Sequence, residues 1–233
     1  MTIFDHAVIL AAGCGRRMRP HSGPTPKQLL TGPGGQTMLE LQVRWMSRLT
    51  RQVHVTVGYR KDLVAAEAIR AGASSTIVVD DLGNGAWITH SVLGEIDSPV
   101  AVVTCDNLME IESEGLVADY ERIGSPSAML VPINPERPSS GDVIESEGSI
   151  VNKLTRVKGT RNLASGLQIL IPASVRETVG DATDFADIWS RLIEVRQLHT
   201  GQFTPSKWIA VDSPEDLHLF ESWADGLNPL YPL

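Results

Sequence analysis

The sequence predicts an α/β protein with a mostly parallel sheet flanked by helices. Three observations carry that expectation. The stretch "HAVILAA" (6–12) is a continuous apolar run rather than an alternating one, which suits a strand covered on both faces. Strand-like and helix-like segments then alternate through the first half, an order that implies crossover connections. The 233 residues, 42% hydrophobic and 21% charged, can bury a large core without disulfide or metal staples.

The elements follow in order. "TMLELQVRWMSRL" (37–49) reads as a helix. Thr37 is placed to cap it, Glu40 stands three residues later as in a capping box, and Leu39, Val43 and Met46 share one face. "VHVTV" (53–57) reads as a strand, leading through Gly58-Tyr59 into a helical stretch from about Lys61. "STIVV" (75–79) is another strand, ending at Asp80-Asp81, and "PVAVVTCD" (99–106) is a further one, ending at Asp106. In the second half "SAMLVPI" (127–133) and "LASGLQILI" (163–171) read as strands. Between them "GDVIESEGSIVNKLTRVKG" (141–159) reads as a hairpin turning near Gly148. "DFADIWSRLIEV" (184–195) is a helix, "KWIAVD" (207–212) a last strand and "SPEDLHLFESWA" (213–224) a last helix. Ser213 as N-cap, Pro214 at the first helical position and Glu215-Asp216 in the first turn mark that helix start. No repeat and no linker interrupts the chain, so residues 1–233 are expected to form a single domain.

Composition narrows the function classes. A net charge of -8 disfavours a general nucleic-acid-binding role. No apolar run is long enough to span a bilayer, and "MTIFDHAVIL" has neither the basic start nor the cleavage site of a signal peptide. Cys14 and Cys105 do not make a disulfide framework, so a reducing cytoplasm is the expected location.

Against this acidic background the stretch "AVILAAGCGRRMRPHSGPTPKQLL" (7–30) concentrates positive charge and glycine directly behind the first strand. In an open parallel sheet ligands bind at the carboxyl ends of the strands, where the turn at Gly13 falls. Gly13 and Gly15 let the main chain approach a ligand, and free N–H groups beside Arg16 and Arg17 make a phosphate cradle. The loop is not a Walker A motif, and Met18 stands where the third glycine of a dinucleotide fingerprint would be. A tight turn with solvated arginines is the alternative.

The segment "LAAGCGRRMRP" followed by "TPKQLL" resembles the N-terminal signature of the sugar-phosphate nucleotidyltransferases and their cytidylyltransferase relatives. The matching positions are Leu10, Ala11, Ala12, Gly13, Gly15, Arg17, Met18, Pro20, Pro26 and Lys27. "VTVGY", "SGLQIL" and "VDSPEDL" resemble later family segments in the expected order. The resemblance implies a Rossmann-like mixed sheet and an enzyme that joins a nucleoside monophosphate to a phosphorylated acceptor and releases pyrophosphate. Such chemistry needs positioning and positive charge rather than a protein nucleophile.

The resemblance also implies residue roles. Leu10, Ala11, Ala12, Gly13 and Gly15 bind the nucleotide, and Arg17 and Lys27 are catalytic, Arg17 holding the triphosphate and Lys27 reaching the α-phosphate or the acceptor phosphate. Arg16 falls at a variable position and is expected to be solvated. Asp106 binds the nucleotide's Mg²⁺ with Asp212, Ser213 being the better helix cap. Where several relatives carry an acid two residues before the Asp212 position, this chain has Ala210, and Cys105 stands where a small residue is common. Gly83 and Gly85 let the backbone approach the base. Trp87 has two readings, stacking on the base or filling the core. Lys153 or Lys158 contacts the acceptor phosphate, and Gly166 lies in the acceptor-binding strand.

The length is closer to compact family members, which favours CTP, then UTP, and a small phosphorylated or phosphonate acceptor. A sugar-1-phosphate uridylyl-, guanylyl- or thymidylyltransferase is the alternative. A glycosyltransferase with an Asp-x-Asp metal motif is less well supported, because the site strand reads "CDN". A non-catalytic nucleotide-binding protein is the remaining class, and homodimerisation is left open. No nucleic-acid or membrane partner is expected.

Overall fold

The computed structural model describes residues 4–18, 23–32 and 34–226. Pro20 of the motif, and residues 1–3 on which part of the leader reading rests, lie outside them. β1 (Phe4–Leu10) is the centre of the parallel part of the sheet. Its side chains alternate between faces: Ala7 and Ile9 enter one core cluster and Val8 the other. β2 (Thr50–Val57) and β4 (Val100–Thr104) pair with it in parallel, one on each side, and β3 (Ser75–Val78) extends the sheet beyond β2.

Beyond β4 the direction changes. β9 (Leu163–Leu170) runs antiparallel to both β4 and β6 (Ala128–Ile133). β10 (Leu198–Thr200) lies parallel to β6, and the hairpin of β7 (Ser139–Glu147) and β8 (Ile150–Gly159) forms the far edge. The nine-stranded order is β3-β2-β1-β4-β9-β6-β10-β8-β7, a mixed sheet of the expected α/β class. Helices cover it: α1 (Met38–Leu49), α2 (Lys61–Arg70), α3 (Ala86–His90), α4 (Ser113–Arg122), α5 (Pro172–Val179), α6 (Phe185–Glu194) and α7 (Leu217–Gly226).

Several local expectations change; the last strand, for one, ends at Ala210 rather than Asp212, and the last helix begins at Leu217 after a short turn. The Thr37 side chain caps α1, accepting the Glu40 N–H at 3.0 Å, an interaction worth about 1 kcal/mol. Glu40 does not close the box, because its carboxylate pairs instead with Arg70 at 2.6 Å and Arg44 at 3.5 Å. The β4 strand stops at Thr104 rather than Asp106. Cys105 still donates its N–H to the Leu10 carbonyl, and the chain then turns into β5 (Asn107–Glu110).

β5 pairs antiparallel with β11 (Lys207–Ala210) as a separate two-stranded sheet, and Ala210 lies opposite Asn107. The Val211 N–H donates to the Asp106 carbonyl at 2.9 Å. This pairing carries Asp212 to Asp106 across more than a hundred residues of sequence. Among the described residues, no helix is long and apolar enough to cross a membrane.

Candidate active site

The loop after β1 is held from three sides. Gly15 adopts φ +55°, and a Cβ there would lie 2.9 Å from the Lys27 Cβ, so the position favours glycine for both conformation and space. The Gln28 amide Nε2 donates to the Ala11 and Gly13 carbonyls. The Tyr59 N–H donates to the Ala12 carbonyl at 3.0 Å, an approach that a side chain at Gly58 would crowd. Gly13 is exposed, and among the described residues nothing lies within 4 Å of where its Cβ would be. Met18, which closes a short helical turn by donating its N–H to Gly15, is fully buried.

Lys27 is 8% exposed and sits between two carboxylates. Its Nζ is 2.9 Å from Asp106 Oδ2 and 3.6 Å from Asp212 Oδ1. Arg17 Nη2 reaches the same Asp212 oxygen at 3.0 Å. The local sequence keeps Asp212 available for this. The Asp216 carboxylate accepts the N–H groups of Asp212 and Ser213 and the Ser213 hydroxyl, so the helix start is completed without the Asp212 side chain. Four residues from three distant stretches thus converge on one small cavity, also lined by Gly13, Gly15 and Arg16. Arg16 is exposed at this rim. The described residues contain no group of three or more His, Cys, Asp or Glu placed to hold a metal.

A larger cavity of about 830 Å³ adjoins the cluster, sharing Leu10, Arg17, Asp106 and Asp212. The β7–β8 hairpin forms one wall with Asp142, Lys153 and Arg156, and α6 forms another with Phe185, Trp189 and Ile193. Gly166 lines it with φ +88°, and a Cβ there would lie 2.5 Å from Asn107 Nδ2. Of the two candidate lysines, Lys153 lines the cavity, 3.8 Å from Glu145, whereas Lys158 is exposed and not among the lining residues. Arg156 lines the cavity as well, paired with Asp142 across the hairpin at 2.8 Å.

Several expected site residues fall elsewhere. Ala11 is fully buried in the core, its N–H bonded to the Thr56 carbonyl. Gly83 and Gly85 pack against the start of α6: their Cβ atoms would meet the Thr183 carbonyl oxygen at 2.3 Å and Ile188 at 2.4 Å. The Gly85 N–H is taken by Thr183, so these glycines serve close packing here, while Asn84 between them lines the large cavity. Trp87 is fully buried and fills the core. Cys105 lines the small cavity at 3% exposure, where burial, then the Asp106 charge, pushes its thiol pKa strongly up.

Gln28, Gln42, Asn107 and Arg156 were not singled out by the sequence reading. Gln28 and Asn107 each directly follow a motif residue, in "PKQ" and "CDN". Gln42 is a lone amide among the buried residues of α1, next to Leu41 and Val43. Arg156 carries no local signal, since its place depends on the hairpin register.

Phosphate handling at the carboxyl end of a parallel sheet is the class of protein that this geometry fits. Comparison with known proteins narrows it: residues 7–136 match the MobA-like NTP transferase domain, and the chain belongs to that family. It is 33% identical over 122 residues to the N-acetylmuramate alpha-1-phosphate uridylyltransferase of Caulobacter vibrioides, covering 48% of this chain and 50% of that protein. It is 23% identical over 226 residues to the mannose-1-phosphate guanyltransferase of Emericella nidulans, covering 90% of this chain and 61% of that protein. The matches thus span only about half to three-fifths of the two curated relatives. The inositol-1-phosphate CTP transferase from T. maritima shares the fold, with TM-score 0.74 at 15% identity over 94% of this chain and 95% of that one. The resemblance read from the glycine-rich signature is borne out at the level of family and fold.

Proposed function

We propose that this protein is a nucleotidyltransferase. It transfers a nucleoside monophosphate from an NTP to a phosphorylated acceptor of sugar-phosphate size and releases pyrophosphate. The observation that supports this reading most is the buried Lys27 held between Asp106 and Asp212 behind the glycine-rich loop. An acceptor phosphate oxygen attacks the α-phosphorus, a new P–O bond forms, and the bond to the β-phosphate breaks. Negative charge builds on the α-phosphoryl oxygens and on the leaving pyrophosphate. The Gly13–Gly15 main chain and Arg17 hold the triphosphate. Lys27, a compact point charge, neutralises the α-phosphoryl group.

Asp106 and Asp212 fit a Mg²⁺ site, because two carboxylates completed by phosphate oxygens and water are a donor set this ion takes. When bound, the ion supplies charge neutralisation for the triphosphate. Lys153 and Arg156 are the acceptor-phosphate candidates, and Lys158 is set aside because it does not line the cavity.

A pyrimidine nucleotide is the expected donor. The small-acceptor reading of the sequence favours CTP, and the 33%-identical relative is named a uridylyltransferase. The 830 Å³ cavity has room for more than the nucleotide, which favours a sugar 1-phosphate over the smallest acceptors. The same reading takes the chain as one domain working in the cytoplasm, consistent with two free thiols. The test is pyrophosphate release from each of four NTPs against a panel of sugar 1-phosphates, phosphocholine and phosphonates, with Mg²⁺. Release that requires both one NTP and one acceptor supports the proposal. NTP binding without release for any acceptor indicates a non-catalytic nucleotide-binding protein.

A further inference from the structure

We propose that Gln42 is a positioning residue for Asp106, acting through the backbone on either side of it. The inference rests on the reading of Asp106 as a metal-binding carboxylate. Gln42 lies on α1 and is 1% exposed. Its Nε2 donates to the Thr104 carbonyl at 3.2 Å and to the Asn107 carbonyl at 2.6 Å. These two carbonyls bracket Cys105-Asp106, so one amide group spans the turn that presents the carboxylate.

A second brace closes the turn from the side-chain direction. Asn107 Nδ2 donates to Thr104 Oγ1 and lies 3.4 Å from Asp106 Oδ1. Gly166 on β9 leaves room for this amide, since a Cβ there would lie 2.5 Å from Asn107 Nδ2 and 2.6 Å from Thr104 Oγ1. Gln42 thus fixes the main chain around Asp106, while Asn107 fixes the direction of its side chain.

The residue type is informative. The neighbours of Gln42 on the buried side of α1 are Leu39, Val43 and Met46, and an amide among them is unfavourable unless both its hydrogens are used. An apolar side chain would pack as well but would remove both of these bonds. The turn joins the nine-stranded sheet to the β5–β11 pair, and single main-chain bonds hold Cys105 to Leu10 and Val211 to Asp106. Gln42 adds side-chain bonds to the carbonyls just before and just after Cys105-Asp106.

The experiment measures binding as well as turnover in the full chain. Mn²⁺ alone is titrated by electron paramagnetic resonance, and inorganic pyrophosphate is titrated by calorimetry in EDTA. The proteins are wild type, Gln42→Met, Asn107→Ala and Asp106→Asn. Outer-shell partners of metal ligands typically contribute tenfold or more to affinity. Gln42→Met is expected to weaken Mn²⁺ binding about tenfold while metal-free pyrophosphate binding, carried by the glycine loop and Arg17, stays within about twofold. Asn107→Ala, at a less buried position, is expected to shift Mn²⁺ the same way by a smaller factor, and keeps the test open if Gln42→Met folds poorly. Equal losses for Mn²⁺ and pyrophosphate would show that Gln42 merely supports the fold and would overturn the proposal, as would unchanged Mn²⁺ binding in both variants. If Asp106→Asn itself leaves Mn²⁺ affinity unchanged, the underlying metal reading fails, and that result is distinct from a failure at Gln42 alone.

Discussion

In the small cavity at one end of the site, Lys27 is 8% exposed and faces two carboxylates. At the other, Arg156 and Lys153 stand on the β7–β8 hairpin with side chains 61% and 64% exposed. Both ends carry cations paired with acids, yet the pairs differ in kind. An exposed ion pair is worth at most about 1 kcal/mol and exchanges partners readily. A pair whose lysine is buried is costlier to break, because the ammonium left alone there is poorly resolvated. Under the proposed function the difference amounts to a division of labour. Lys27 is held in place before any ligand arrives, which suits a group that must meet charge developing in a transition state. Arg156 and Lys153 can leave Asp142 and Glu145 for a phosphate at little cost, which suits ground-state capture of an acceptor.

The largest expected effect would break the comparison outright. Lys27→Ala and Asp106→Asn are each expected to lower kcat about 100- to 1000-fold, the loss typical of a preorganised electrostatic contact. Circular dichroism should show the fold retained. A kcat within a few-fold of wild type in either variant removes that residue from the chemistry and leaves the buried cluster a packing feature.

The hairpin end is expected to respond differently. Arg156→Ala and Lys153→Ala should raise the acceptor KM about tenfold in at least one case with kcat nearly unchanged, the signature of uniform binding. Lys158→Ala should change neither by more than about twofold, since Lys158 does not line the cavity. A kcat loss in Arg156→Ala as large as that in Lys27→Ala would erase the distinction between the two ends.

The same contrast explains what could be read from sequence. Lys27, Gly15 and Arg17 belong to one short motif whose geometry is local: a strand, a positive-φ glycine and a lysine packed against it. The Ser213–Asp216 helix start was legible for the same reason, and it forms without the Asp212 side chain, which pairs instead with Arg17 and Lys27. The wall of the large cavity is built by cross-strand register and by α6 packing on the loop around Gly83, and no short segment encodes either. β5 and β10 are only four and three residues long, α3 is five, and α5 begins immediately after a strand end; none of these, nor α4, was anticipated. Gly83 and Gly85 look like ligand-approach glycines, but the same small size serves approach by the Thr183 backbone.

Acid stability sharpens the comparison by pointing away from both ends. His54 stacks on His6 with ring centroids 5.3 Å apart, and its Nδ1 lies 2.7 Å from Ser75 Oγ. Burial, then the His6 charge, lowers its pKa from 6.5 to about 4. The unfolded chain therefore binds more protons than the folded one between these values. Stability is expected to fall as pH drops from about 6.5 toward 4. His199, partly buried, moves in the same direction. The melting temperature should decline between pH 7 and 5, and His54→Gln should flatten that decline. An equal slope in the variant would assign acid sensitivity to other groups.

The smallest expected effect concerns two thiols beside the buried cluster. Cys105 precedes Asp106 and is 3% exposed, and its raised pKa keeps it protonated and unreactive. Cys14 lies in the loop between the exposed Gly13 and Gly15 and is only partly buried. Iodoacetamide is therefore expected to label Cys14 and not Cys105 in the folded protein, with Cys105 reacting only after denaturation, as mass spectrometry of the peptides would report. Activity should fall modestly with labelling, because the added group crowds the phosphate cradle without removing a catalytic charge. Pyrophosphate with Mg²⁺ should protect. Cys14→Ser should stay active and resist the reagent, since the proposed transfer requires no thiol. An inactive Cys14→Ser with an intact fold would show that the loop needs the thiol and that the noncovalent account of the buried end is incomplete. Labelling of Cys105 in the native state would show that this end opens to solvent, and the preorganised half of the comparison would no longer stand.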